Sequence, residues 1–233
     1  MPHCRRHMQT SCPSVSDRSR SGGPRERVNG WFHFAGALLA AAGLVWLVLD
    51  ARGRGSLRHL VGAAAFGGSA LLMFSASALY HLRHASSRER LYQRLDHAMI
   101  YLFIAGTYTP ICLVVLWQRP AGPVLLAFVW TLAVLGLVLD LRDRPLRRGP
   151  ATALYLALGW AALPVAPALI AYPGLGAWLL AGGILYTVGA FLYWRRCPRR
   201  RLGVVGFHEL WHLCVLAASA SHFWAIRTYV LPL

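Results

Sequence analysis

The sequence predicts an all-α, polytopic membrane protein of seven transmembrane helices, on three observations. Apolar residues fill 57% of the 233 positions and charged ones only 14%, with a mean hydropathy of +0.47, too oily for an ordinary soluble domain. The apolar residues are gathered into seven blocks close to the length of about 20 residues that crosses a hydrocarbon core. Short arginine-rich pieces separate the blocks. Unsatisfied backbone groups are intolerable in lipid and no alternating barrel strands are present, so each block is expected to be a helix.

Residues 1–27 are polar and rich in Ser, Pro and Arg, and are expected to form a disordered basic cytosolic tail ahead of a transmembrane domain at 28–233. The first block, 31–49, offers small residues in GALLAAAG that suit a signal peptide, but its apolar run continues through Leu49 with no cleavage boundary, so a retained helix is expected. The second, 60–82, has Gly67, Gly68 and Ser69 for close helix approach and ends on Ser77 and His81. The third, 96–117, opens on Asp96 and carries Pro110, a kink site. The fourth, 122–141, is apolar throughout, and the fifth, 151–170, has Pro164 and Pro167, which can kink it. The sixth, 174–194, ends on Trp194, and the seventh, 206–226, opens with His208 and His212. Trp31, Trp117, Trp194 and Trp224 lie near block ends, where interfacial anchors belong.

All 24 basic residues are arginine, and their placement orients the chain. With the N-terminus in the cytoplasm, 19 arginines fall inside and 5 outside, so the positive-inside rule favours N-terminus in and C-terminus out. The pI of 10.9 could suggest a nucleic-acid partner, yet the charge is spread over alternate loops instead of being gathered with aromatics on one surface. Anionic lipid head groups at the cell membrane are the better partner. The five cysteines occupy the tail, a cytosolic loop or helices and imply no disulfide framework. His3, Cys4, His7 and Cys12 match no standard zinc spacing.

Histidines inside an apolar helix are costly unless they bind something. His208 and His212 are four residues apart, which puts both imidazoles on one helical face, about 40° apart. In the expected topology the second helix ends inside at His81, the third begins inside at Asp96 and the seventh begins inside at His208 and His212. Four polar groups from three helices thus reach one depth, although the topology came from arginines alone. Zinc suits three neutral imidazoles and leaves a position for water, whose pKa it lowers toward about 7. His81, His208 and His212 are the expected ligands. Asp96 could bind the metal, or hold or deprotonate the water, and Ser77, one turn before His81, could share that water. For His33, His59, His84, His97 and His222 a hydrogen bond or simple packing is expected, His222 lying about 15 Å deeper than His212.

HELWH is also a literal H-E-x-x-H, which in zinc proteases supplies two ligands and a glutamate base, so an intramembrane protease using Glu209 is a rival reading. Taken together, however, the residues resemble the hemolysin III branch of the progestin and adipoQ receptor family over 26–226. The landmarks are Glu26, Asn29 and His33 in ERVNGWFH, Ser77 and His81 in SALYH, Asp96 followed by GTYTP, and His208 with His212. The resemblance implies a seven-helix fold and a zinc ion bound by His81, His208 and His212, with Asp96 reaching it through water and Ser77 nearby. It also implies that the spacing of the histidine pair matters while the residues between vary, which makes Glu209 less decisive. Glu26, Asn29 and His33 could close a loop over the cavity, but structural support, with Asn29 as a helix cap and Glu26 paired to arginine, is the first expectation.

The expected function is that of a zinc-dependent lipid amide or ester hydrolase, or a related role in membrane-lipid homeostasis, with an acyl-chain substrate admitted from the bilayer. The resemblance brings a ceramide-type amide as one substrate class and a cytolysin label as an alternative. A receptor-like transducer without turnover is a further alternative, since ligand binding could shift the helices without chemistry.

Overall fold

The computed structural model describes residues 24–54, 56–83, 86–142, 146, 148–169, 171–198 and 206–233, with side chains from Arg27 onward and without that of Arg148. Most of the expected tail, His84 and the side chain of Glu26 therefore lie outside the described residues, as do His3, Cys4, His7 and Cys12. The described chain is helical, with α1 Pro24–Gly53, α2 Leu57–Leu82, α3 Glu89–Pro110, α4 Ala121–Leu141, α5 Arg148–Gly159, α6 Ala166–Leu169, α7 Pro173–Arg195 and α8 Phe207–Ala225. No strand occurs among the described residues.

Six helical segments are long and apolar enough to cross a membrane: Arg27–Gly53, Leu57–Leu82, Glu89–Val115, Ala121–Leu141, Gly149–Leu169 and Pro173–Arg195. The chain is a multi-pass membrane protein. Its outer faces carry Leu39, Val124, Phe128, Leu180 and Phe191, all exposed, a surface suited to lipid tails and unsuited to water. The expected seventh span is α8, which at 19 residues is long enough but carries His208, Glu209, His212 and His222. Those four side chains keep it out of the apolar set, and they are the ones that give the helix its interest.

Neighbouring helices pack in chain order, α1 along α2, α2 along α3, α3 along α4 and α7 along α8. Contacts of α5 with α3 and α7, and of α8 with α1, close the set into a ring. Small residues permit the tight crossings. A Cβ on Gly67 would strike Leu44 of α1, and one on Gly106 of α3 would strike Ser69 and the Ala65 carbonyl of α2. Gly68 does not belong with them, because it faces open space, a helical turn position pointing away from both neighbours. Four hydroxyls within the helices are satisfied locally: Thr107, Thr109, Thr187 and Ser219 each donate to the carbonyl four residues back.

The fifth block is not one bent helix. It breaks after Gly159, continues through a 3-10 turn at Leu163–Val165, and resumes briefly as α6, with Pro164 and Pro167 removing two backbone donors. A break at membrane depth leaves backbone groups to be paired inside the protein. Tyr108, from GTYTP, does this: its hydroxyl accepts from the Ala162 N–H at 3.1 Å and lies 2.7 Å from the Gly159 carbonyl and 3.0 Å from that of Leu158. Pro110 closes α3, and the chain runs on through a wider π turn at Ile111–Val115. At the opposite end of α8, Arg227 stacks 4.0 Å over Trp46 and lies 3.4 Å from Asp50, fastening the ends of α8 and α1.

The ring encloses a cavity of about 400 Å³, walled by α2, α3, α5, α7 and α8 with His33 of α1. Asp96, His208 and His212 stand at one end and Tyr186 and His222 toward the other, with Phe103, Ile104, Leu156 and Val215 between. Polar ends and an apolar middle are the form expected of a pocket for an amphiphile.

Candidate metal centre

His81 stands on the last turn of α2, and His208 and His212 on the first turns of α8. The ligand nitrogens of the three lie within 4.8 Å of one another, and among the described residues this is the group that could hold a metal ion. His81 packs edge to face on His212 and His208, with centroids 5.0 Å and 5.2 Å apart, and the rings of His208 and His212 are tilted at 45° with centroids 4.6 Å apart. His81 and His212 are almost wholly buried, at 2% and 3% exposure. Neither ring nitrogen of His212 has a hydrogen-bond partner. Burying such a group costs about 1–3 kcal/mol, a cost that a bound ion would remove. Three neutral nitrogen donors, buried and converging from two helices far apart in sequence, fit zinc in ligand type and number.

Asp96 is on α3, about two turns from its start at Glu89, and lines the cavity beside the histidines. Its carboxyl has His81, His97 and Ser77 as electrostatic neighbours. No carboxylate belongs to the tight ligand group itself, so Asp96 stands next to the triad and not within it. Ser77 is 1% exposed, on the same face of α2 as His81 and one turn before it, and its hydroxyl makes no hydrogen bond of good geometry. Ser77, Asp96, His208 and His212 therefore line one end of the cavity, with His81 packed against His208 and His212.

For His33 the first expectation, a hydrogen bond at a helix end, does not hold, and the second, a place over the cavity, is nearer to what the structure has. It is 2% exposed, neither ring nitrogen has a hydrogen-bond partner, and its ring centroid is 4.0 Å from that of His212. Its sequence signal was its position, nine residues inside the described start of α1 and on the same face as Asn29.

Asn29 is likewise no helix cap, because α1 begins at Pro24 and places it a turn inside. Its side-chain amide donates to Glu209 Oε1 at 3.4 Å, tying α1 to α8. The other oxygen, Oε2, accepts from the Gly206 N–H at 2.8 Å, closing the first turn of α8. Glu209 is 7% exposed and does not line the cavity. Successive helical residues diverge by about 100°, so the glutamate beside His208 faces α1 while the histidines face the site. The carboxylate of HELWH is engaged in holding two helices together.

Of the remaining histidines, His97 lines the cavity mouth with Arg94 and Gln93. His59 lies near the far end of α2 from His81. His222 lines the cavity on α8, and its Nε2 is 3.2 Å from the Leu179 carbonyl, the hydrogen bond expected of it.

Residues 23–223 match the family described as Haemolysin-III related. The chain is 38% identical over 210 residues to "Hemolysin-3" of Bacillus cereus, covering 89% of this chain and 92% of that protein. It is 36% identical over 208 residues to "Hemolysin-3 homolog" of Bacillus subtilis (strain 168), covering 88% and 93%. A more distant similarity, 27% over 169 residues and covering 68% and 66%, is to the human "Monocyte to macrophage differentiation factor".

Proposed function

Because the chain belongs to the Haemolysin-III related family, we propose that its histidine centre holds zinc and that the protein hydrolyses a lipid amide or ester within the membrane. The observation that carries this reading is the convergence of His81, His208 and His212 at the polar end of a cavity whose middle is apolar. A purely structural ion would need no cavity beside it.

The three imidazoles would hold the ion, which when bound supplies a Lewis acid and lowers the pKa of water toward about 7. Asp96 accepts the proton of the attacking water and later returns one to the leaving group. Ser77 shares its hydroxyl between Asp96 and that water, fixing orientation. Phe103, Ile104, Leu156 and Val215 hold the acyl chain by burial of its methylenes, each worth about 0.8 kcal/mol. Asn29 and Glu209 act as positioning residues by setting α8 against α1.

In this proposal α8 is the seventh crossing, the chain runs from cytoplasm to outside, and the centre lies near the cytoplasmic face. That orientation is supported by the 19 arginines on the side where α1, α3 and α8 begin, which also suits anionic head groups. The direct test is lipid hydrolysis by the detergent-purified, zinc-loaded protein. Asp96→Ala should lower turnover by about 10²–10⁴-fold while leaving bound metal in place. Hydrolysis at the wild-type rate in that variant would remove the assigned role.

The name of the two bacterial relatives favours a second reading, membrane lysis. It requires that the purified protein release dye from loaded vesicles even after metal is stripped. No release at any dose would leave hydrolysis alone. The intramembrane protease is disfavoured, since both oxygens of Glu209 are engaged away from the cavity.

A further inference from the structure

The end of the cavity remote from the metal centre is also polar, and its hydrogen bonding has a sign. His222 is 9% exposed and lines the cavity, and its Nε2 faces the Leu179 carbonyl at 3.2 Å. A carbonyl only accepts, so Nε2 carries the proton, and a neutral imidazole that donates from Nε2 keeps its lone pair on Nδ1. Nδ1 is buried and has no hydrogen-bond partner. Beside it, 5.6 Å away between ring centroids, is Tyr186. Ser219 donates its one proton to the Val215 carbonyl at 2.7 Å. The 2.9 Å contact between Tyr186 and Ser219 must therefore be donated by Tyr186, which leaves the phenol oxygen as an acceptor. Thr187, the next polar group on this wall, donates to the Gly183 carbonyl and accepts from Trp160 Nε1. This end of the cavity thus presents acceptors whose own protons are already committed.

We propose that this end is a second binding subsite, selective for a hydroxyl carried on the acyl chain of the ligand, with His222 Nδ1 and the Tyr186 oxygen as the acceptors. It rests on the reading above that the cavity holds a lipid chain. His222 is ten residues beyond His212, so the hydroxyl sits about 15 Å along the bundle from the metal centre. A ketone, which offers no proton, is not recognised there, because it would bring a third acceptor against two. The unpaired Nδ1 is the cost the protein bears in the absence of such a group, and the ligand hydroxyl relieves it.

The test uses the full-length protein in detergent and three probes that differ at one carbon: octadecanoate, its mid-chain hydroxy derivative and the corresponding keto derivative. Binding is measured by calorimetry on wild type and on His222→Phe and Tyr186→Phe variants of wild-type helicity. The hydroxy probe should bind wild type about tenfold more tightly than the other two, the effect of one well-made buried hydrogen bond. His222→Phe should erase that preference, the hydroxy probe and octadecanoate then binding alike. Equal affinity of wild type for all three probes overturns the subsite while leaving the lipid cavity intact. A keto derivative that binds as tightly as the hydroxy one also overturns it, because the site would then contain a donor. Failure of all three to bind removes the lipid reading and the subsite with it. The wild-type comparison needs no variant, so a misfolded His222→Phe does not leave the proposal open.

Discussion

A histidine buried in a membrane helix is relieved by a hydrogen bond or by a ligand, and geometry separates His222 from His212 on that ground. His222 finds a backbone carbonyl. His212, buried at 3% exposure with neither nitrogen bonded, has its nearest aromatic neighbours in three other histidines. The histidine group that could hold a metal was legible in the sequence because polar residues at the ends of apolar blocks are conspicuous and the arginine distribution gives an expectation of which ends coincide. His33 was legible only as one of two alternatives, since a single histidine near a helix start looks the same whether it touches lipid head groups or another imidazole. Only the packing of α1 against α8 separates the two. His33→Ala should therefore weaken metal retention by about 10–100-fold, the usual effect of removing a group that supports a ligand, as read by competition with a chelator. Unchanged retention would return His33 to simple packing. Glu209→Gln keeps the shape of the Asn29 contact and should leave turnover per bound metal unchanged, whereas a protease base at this position would lose all activity.

Elements were legible in proportion to their oiliness. Helices α2, α4 and α7 fall close to the expected blocks because each is apolar through most of its length. The first helix starts earlier than its apolar run, because PRERVN continues the helix with polar side chains. The fifth block differs most. Its prolines announced a kink, but the depth of the break depends on Tyr108, a residue from another helix that pairs the freed backbone groups. Tyr108→Phe should cost about 1–3 kcal/mol, seen as a lower thermal midpoint in detergent. Glycines are legible as small but not as facing anything. Gly106→Ala meets the α2 backbone and should destabilise by about 1–3 kcal/mol, while Gly68→Ala, facing open space, should stay within about 0.5 kcal/mol of wild type in the same assay.

At the scale of the whole molecule, the ring of helices sets the chemistry. Closing α8 against α1 and α7 brings residues 81 and 212 together across more than half the chain. The same closure encloses the space in which a lipid chain can lie. The helix that completes the ring falls short of the apolar spans because its inner face is given over to the centre and to His222. Ring and centre should therefore be coupled. Removing metal with a chelator should lower the thermal midpoint of wild type, and should change that of His212→Ala little, since its centre is already broken.

The most direct measurement is zinc per chain, by elemental analysis of the detergent-purified wild type beside His81→Ala and His212→Ala at matched helicity. About one zinc in the wild type and its loss in both variants are expected, since His81 and His212 come from helices at opposite ends of the chain and meet at one centre. No zinc in the wild type, or zinc retained in either variant, would contradict a shared centre and return the histidines to packing.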